Sequence, residues 1–500
     1  MTRPVRVAVV GGGVTGLAAA LRLRDRLGPA AHITVWEKDR APGGKLRTGT
    51  VAGRRCELGA EAFLVRDPGG RGESAAFALA RRLGLDLVHP APVPPGLYVD
   101  GALHPLPGGT LMGVPADPAT VAAVAPVDVA RDRDTGRPVL PDGQDTSVGA
   151  LVRQRLGDAV VERLVDPLLG GVYAGRADDL SLRATMPGLA AACGREPTLT
   201  GAVRAALAAA RRPAEAPAGP SAGAATDRSA PAADPAAAGR RAGATPSAVF
   251  ATPREGMSAF VAALVAAGGA EIRTGRPVRE LLRTGGGGSR PGWRLVVGAT
   301  RDPELVDVDA VVLALPARPA ARLLRSAGEP AAAHVGALDY ASVALVTLAY
   351  PDPDVLPERS GFLVPATEGT TVKAATFFTR KWPHLAGGPA LVRLSVGRYG
   401  EEHVLRLTDE ELADRAHREL SRVLGARLPG PVGTHVQRWG GALPQYAPGH
   451  LDRVAAARAA LPPTLVLAGA GYDGVGIPAC VKSGQAAADA LVAALEESAA

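Results

Sequence analysis

The sequence predicts an α/β fold: a Rossmann-like nucleotide-binding domain, a second domain built on a mixed sheet, and a helical insertion. Three observations carry this. First, an apolar strand run, a glycine-rich turn, a helical pattern and a second strand follow one another over residues 5–39, which is a βαβ unit. Second, another strand, glycine-rich turn and helix close the chain at 464–491, "TLVLAGAGYDGVGIPACVKSGQAAADAL". Third, helical periodicity dominates 147–210, whereas strand signals separated by turns dominate 270–397.

Taken in order, "VRVAVV" at 5–10 reads as a buried strand, 14–27 as a helix and "HITVWEKD" at 32–39 as a strand. Residues 75–85 form a short amphipathic helix, 147–170 a helical pair, and 199–210 a further helix. Residues 211–248 contain no Leu, Ile, Val or aromatic residue, so they cannot bury enough apolar surface to offset their ordering entropy. They read as a disordered Ala/Pro/Gly-rich loop whose removal is expected to leave activity intact. "EGMSAFVAALVAAGG" at 255–269 is a helix. Strands follow in "AEIRTGRPVREL", "WRLVVGAT" and "VDAVVLALP", strands of a second sheet lie at 340–350 and 390–397, and 408–425 is a helix.

A chain of 500 residues exceeds one compact core. The expected division gives the nucleotide-binding domain three parts, 1–90, 249–325 and 434–500. The helical and pocket insertion takes 91–210, the loop 211–248, and the substrate domain 326–433. Net charge is +7, which favours anionic ligands, but no Lys/Arg block carries interleaved aromatics, so nucleic acid is not an expected partner. Three scattered cysteines without a C-x-x-C argue against a disulfide framework or a zinc site. "MTRPVRVAVVGGG" runs straight into a strand rather than a signal peptide, and no apolar run approaches the roughly 18–20 residues of a membrane span. The expectation is a soluble cytoplasmic protein, with peripheral contact with a bilayer left open.

"GGGVTG" at 11–16 fits G-x-G-x-x-G. Gly11 permits the tight turn, Gly13 lets backbone approach a pyrophosphate, and Gly16 lets helix pack close to strand. Gly12, Val14 and Thr15 complete the turn, whose helix N-terminus offers free N–H groups to phosphates. Glu37, at the end of the second strand and followed by Lys38, is placed to accept hydrogen bonds from a ribose diol. "APGGKLRT" at 41–48 then moves the reading from NAD to FAD. Gly43, Gly44 and Lys45 resemble the second FAD motif of the flavoprotein superfamily that includes amine oxidases. That resemblance implies that "CELGAEAFL" lays Gly59, Ala60, Glu61 and Ala62 along the isoalloxazine or its ribityl chain. It also puts Val278 of "RPVREL" where a strand clamps the adenine, although a plain strand residue fits Val278 nearly as well. The closing "GVGIPACV" would bring Val475, Gly476 and Ile477 to the flavin, with Pro478 in the first turn of a helix whose dipole points at the N1–C2=O edge.

Longer stretches resemble a narrower family, the oxygen-dependent porphyrinogen oxidases. They are "GDAVVERLVDPLLGGVYAGRADDLSL" at 157–182, "GFLVPATEGTTVKAATFFTRKWPH" at 361–384, "QRWGGALPQYAPGH" at 437–450 and "GAGYDGVGIPACV" at 469–481. The resemblance covers almost the whole chain outside 211–248 and implies an amine-oxidase-like flavoprotein fold. It places Trp439 near the flavin and implies six-electron aromatisation of a porphyrinogen by FAD and O2 with H2O2 as by-product, within haem synthesis. The flavin carries the redox chemistry, and no catalytic acid–base dyad or metal set stands out. Glu61 stands where the eukaryotic protoporphyrinogen branch has arginine, which favours coproporphyrinogen III as substrate over protoporphyrinogen IX. An amine oxidase or carotenoid desaturase is a further alternative, weakened because "DYASVALVTLAY" lacks the lysine that amine oxidases carry beside flavin N5. A non-catalytic flavin-binding partner is another. Substrate propionates call for cations, and Arg66, Lys373, Arg380 and Lys381 are the candidates. Transient contact with a ferrochelatase-type enzyme also follows from the resemblance.

Overall fold

The computed structural model describes residues 4–67, 72–141, 143–211, 249–284 and 292–498. Apart from its first residue, the stretch 211–248 lies outside the described residues. The opening unit forms as its pattern dictates: β1 (Arg6–Val10), α1 (Val14–Leu27) and β2 (His32–Trp36). β1 is central in a parallel sheet ordered Glu271–Arg273, β2, β1, Ala310–Leu313, Leu465–Leu467. Alternate residues of β1 serve two cores, as a parallel sheet covered on both faces requires. Val7 and Val9 pack with Leu17, Leu21 and Leu491 on the helical side. Ala8 and Val10 pack with Trp36, Trp293 and Leu295 on the other, where an antiparallel meander of Val278–Thr284, Gly292–Ala299 and Asp302–Val308 lies. "AEIRTGRPVREL" thus forms two strands in two sheets; Gly275, at φ +64°, turns the chain between them.

The closing helix, Ile477–Glu497, lies against α1. Its Gly484 comes so close that a Cβ there would stand 2.2 Å from the Thr15 carbonyl oxygen. The two glycine-rich turns therefore end in helices that pack on each other.

The second domain rests on a seven-stranded mixed sheet ordered Gly433–Gln445, Asp339–Tyr350, Ala390–Val396, Val372–Phe377, Gly361–Leu363, Gly96–Val99, Ala102–Pro105. It draws strands from the segments 91–210 and 434–500 as well as from 326–433. One face packs on the helix Asp409–Leu424, which Thr408 and Glu411 close with a capping box. The other face meets a helical layer: Val148–Leu156, then a nearly continuous run from Asp158 to Tyr173 with a π-helical stretch at Val161–Val165, then Pro187–Cys193 and Leu199–Arg211. Tyr446, at the end of the long strand, is buried in the core of that layer. Among the described residues no helix is long and apolar enough to cross a membrane.

Candidate active site

The first turn is built on backbone proximity. Gly11, at φ +109°, donates to the Trp36 carbonyl at 2.8 Å. A Cβ on Gly16 would stand 1.9 Å from the Gly11 oxygen, so helix and strand approach as only glycine allows. A Cβ on Gly13 would meet nothing within 4 Å, so that side of the turn is open. Gly43 donates to the Gly12 carbonyl at 2.8 Å and Gly13 bridges to Gly43, which sets Gly43, Gly44 and Lys45 beside the first turn. Buried Glu37 accepts from the amides of Gly12 (2.8 Å) and Asp39 (2.9 Å). Each carboxylate oxygen keeps a second lone pair for a ribose hydroxyl. Lys38 pairs with Asp39 in the open. Val278 begins its strand two residues after Arg276, whose amide donates to the Glu37 carbonyl, so it stands at the same end of the site.

The stretches expected to meet the flavin converge. Ala60 donates to the Lys45 carbonyl at 3.0 Å, and a Cβ on Gly59 would stand 2.0 Å from that oxygen. Trp439 donates from Nε1 to the Leu58 carbonyl at 2.9 Å, its ring covers Gly59, and Arg47 lies 5.4 Å from the ring centre. Burial pushes the Lys45 ammonium down and the Cys480 thiol up; Thr15 and Lys45 work against the latter by a hydrogen bond and by charge. Thr15, Lys45 and Cys480 thus join the first turn, the second motif and the closing helix. Gly476, at φ +112°, starts that helix with no side-chain cap, and the N-terminus of α1 is likewise uncapped by a side chain. Uncapped N–H groups and the open space at Gly13 suit a long anionic dinucleotide. Val475 packs against the helical layer, and Ile477 is in the core beneath the sheet.

The cations expected for propionates divide sharply. Arg66 is exposed. Arg380 is taken by Glu358 at 2.8 Å, Asp354 at 3.2 Å and the Leu356 carbonyl. Lys381 pairs with Glu61, whose other oxygen takes Arg393 at 2.5 Å. Burial works to raise the Glu61 pKa, yet Lys381 and Arg393 hold its carboxyl below the usual range. Glu61 is therefore a buried anchor, its charge spent on two protein cations. Arg393 also donates to the carbonyls of Gly59 (2.7 Å) and Glu57 (3.2 Å), tying the sheet to the stretch that holds Gly59. It was missed in the sequence, although a lone charge inside "ALVRLSV" is a usable signal. Lys373 is buried and lines a cavity with Asp166, Gly170, Arg176, Val364 and Arg398.

Residues 14–492 match the family described as flavin-containing amine oxidoreductase. The chain belongs to that family. Its cofactor is FAD, and it is an FAD-dependent oxidoreductase. Among curated relatives, coproporphyrinogen III oxidase of Mycobacterium tuberculosis is 37% identical over 499 residues, 99% of this chain and 98% of the relative. The Bacillus subtilis protein of the same name is 30% identical over 502 residues, 97% of each chain. Among solved structures, an Exiguobacterium protein described as a protoporphyrinogen oxidase superposes with TM-score 0.77 at 28% identity, covering 98% of this chain and 99% of that one. Cyclohexylamine oxidase of Brevibacterium oxydans, at 18% identity and TM-score 0.67 over 99% of this chain and 100% of that one, shares the fold. The amine-oxidase-like fold and the porphyrinogen-oxidase resemblance read from the sequence both hold.

Proposed function

We propose that this flavoprotein oxidises coproporphyrinogen III to coproporphyrin III in haem synthesis, passing six electrons to three O2 and yielding three H2O2. The single observation that carries the reading is the end-to-end similarity to coproporphyrinogen III oxidases. FAD, when bound, supplies two-electron oxidation, which three rounds repeat. The chain's own residues bind and orient. The turn Gly11–Gly16 and the start of α1 would hold the pyrophosphate, Glu37 the ribose, and Gly59–Ala62 with Trp439 and Val475–Ile477 the ring system. The Glu61–Lys381–Arg393 cluster fixes the flavin-facing stretch against the sheet, and the helical layer closes the space over the sheet face and excludes water. We place the enzyme in the cytoplasm, handing its product to a ferrochelatase-type partner.

Paired turnover by the FAD-loaded protein in air, read as porphyrin fluorescence, tests this. Faster turnover of coproporphyrinogen III than of protoporphyrinogen IX is expected. The reverse preference would move the substrate to protoporphyrinogen IX, and turnover of neither with FAD bound would overturn the reading.

A further inference from the structure

We propose that the cavity between the helix Asp166–Tyr173 and the strand Val372–Phe377 seats a propionate of the substrate macrocycle, and that Lys373 is the cation that receives it. The inference rests on the porphyrinogen reading. It begins with a displaced register. On this strand Ala375 and Phe377 face the hydrophobic layer under the helix Asp409–Leu424. Strict alternation would send Lys373 into that layer as well. A bulge between Val372 and Ala374 prevents this, so Val372 fills the layer and Lys373 turns to the opposite face. Bulges re-aim side chains in this way next to functional sites.

On that opposite face Lys373 meets Asp166, Arg176 and Arg398 across the cavity. Its neighbours have other attachments. Arg398 donates to the carbonyls of Thr370 (2.9 Å) and Val364 (3.1 Å), and Arg176 pairs with Glu401 at 3.0 Å. Asp166 accepts from the Ala177 amide at 2.6 Å. Lys373 is only 5% exposed and its ammonium has no hydrogen-bond partner among the described residues. Burying an ammonium without a partner is costly, and three lining cations face one lining carboxylate. An incoming carboxylate relieves both conditions.

The placement suits a macrocycle lying over the sheet. Thr376 pairs with Arg393, which reaches the flavin-facing Gly59. Lys373 lies three residues further along the same strand, about 10 Å away. One end of the sheet face thus meets the cofactor side, and the other presents the unpaired cation. Burial, and then Arg398, bring the Lys373 ammonium down to about 7, with Glu401 opposing. A carboxylate in the seat therefore binds best with Lys373 protonated, and affinity weakens as pH rises through that value. The other charged groups around the cavity, Asp166, Arg176, Arg398 and Glu401, are retained in the test variant, so the difference between proteins isolates Lys373.

The test uses FAD-loaded protein and the stable product coproporphyrin III, with binding read by fluorescence quenching. Lys373→Met is expected to weaken coproporphyrin III at least tenfold below pH 7 and to flatten the pH dependence. Binding of the tetramethyl ester should be unchanged, and Lys373→Arg should recover most of the lost affinity. Unaltered coproporphyrin III binding by a Lys373→Met protein of normal melting temperature and flavin absorbance overturns the seat. So does equal weakening of acid and ester. If Lys373→Met does not fold, an unaltered affinity and pH profile in Lys373→Arg together with pH-independent wild-type binding overturns it. Wild-type protein that neither binds nor turns over the coproporphyrin series sinks the porphyrinogen reading instead, a result distinguishable from all of these.

Discussion

Gly13 and Gly16 stand three residues apart in one turn, yet the structure gives them opposite sensitivities. A Cβ on Gly16 would lie 1.9 Å from the Gly11 carbonyl oxygen and 3.2 Å from a Val9 methyl. α1 would have to retreat by about 1 Å, an overpacking that costs on the order of 1–3 kcal/mol or more. Gly16→Ala should therefore lower the melting temperature of the apo-protein as well as flavin content. A Cβ on Gly13 meets no protein atom within 4 Å, and Gly13 is the N-cap of α1 in an ordinary extended conformation at φ −73°. Exchanging glycine for alanine at an N-cap costs under ~1 kcal/mol. Gly13→Ala should leave apo-protein stability nearly intact. Its methyl, however, occupies the space proposed for the pyrophosphate, so the FAD dissociation constant should rise at least about tenfold, roughly 1.4 kcal/mol. Titration of each apo-protein with FAD, paired with thermal melting without FAD, separates the two effects. Wild-type FAD affinity in Gly13→Ala would refute the assignment of that open space to the cofactor.

Glu61→Gln leaves Lys381 and Arg393 facing a neutral amide in a place where Glu61 and Arg393 are only 11% and 12% exposed. Breaking such a buried cluster costs about 3–5 kcal/mol, so the melting temperature of the holoenzyme should fall, and an unchanged value would show that the cluster contributes nothing. Burial, opposed by hydrogen bonds from the Met257 amide and Thr48, raises the Glu57 carboxyl from 4.5 to about 7. The unfolded chain then ionises this group first, and the folded state loses roughly 3 kcal/mol as pH rises from 4.5 to 7. Glu57→Gln should remove that loss, so its stability relative to wild type should climb across the window in pH-dependent melting; parallel curves would refute the shift. Trp439→Phe loses the 2.9 Å bond to the Leu58 carbonyl, worth about 1 kcal/mol, and should shift the visible flavin spectrum. An identical spectrum would remove Trp439 from the flavin's surroundings.

The opening βαβ unit was legible because its information is local: an apolar run, three spaced glycines and a helical period within residues 5–39. The closing turn was legible for the same reason. The strand Gly433–Gln445 was not, since Gly440, Gly441 and Pro444 carry weak strand propensity and leave the stretch without a strand reading. It persists because its long antiparallel pairing with Asp339–Tyr350 supplies what local propensity withholds. The cations show a deeper limit. Arg380 and Lys381 are adjacent and were equally plausible, but only the fold reveals that Asp354, Glu358 and Glu61 consume their charge. Lys373 was a candidate by charge alone. The bulge that turns it out of the hydrophobic layer depends on pairing with Ala390–Val396 and leaves no mark in the local pattern. Arg398 was missed because its partners, the carbonyls of Thr370 and Val364, lie on other segments.

The contact of Gly484 with Thr15 has a consequence for biosynthesis. α1 leaves the ribosome long before the helix that covers it, Ile477–Glu497, is made. At about 5–20 residues per second, translation from residue 27 to residue 465 takes roughly 20–90 s. Throughout that interval the parallel sheet lacks its edge strand Leu465–Leu467, and the apolar face of α1 waits for Val481, Ala488 and Leu491. Long-range closure of this kind is slow and exposes sticky surface in the nascent chain, which makes this protein a natural client for holding chaperones. FAD loading is therefore expected to wait for the segment Leu465–Glu497, and a polypeptide that stops before residue 465 is expected not to retain the cofactor.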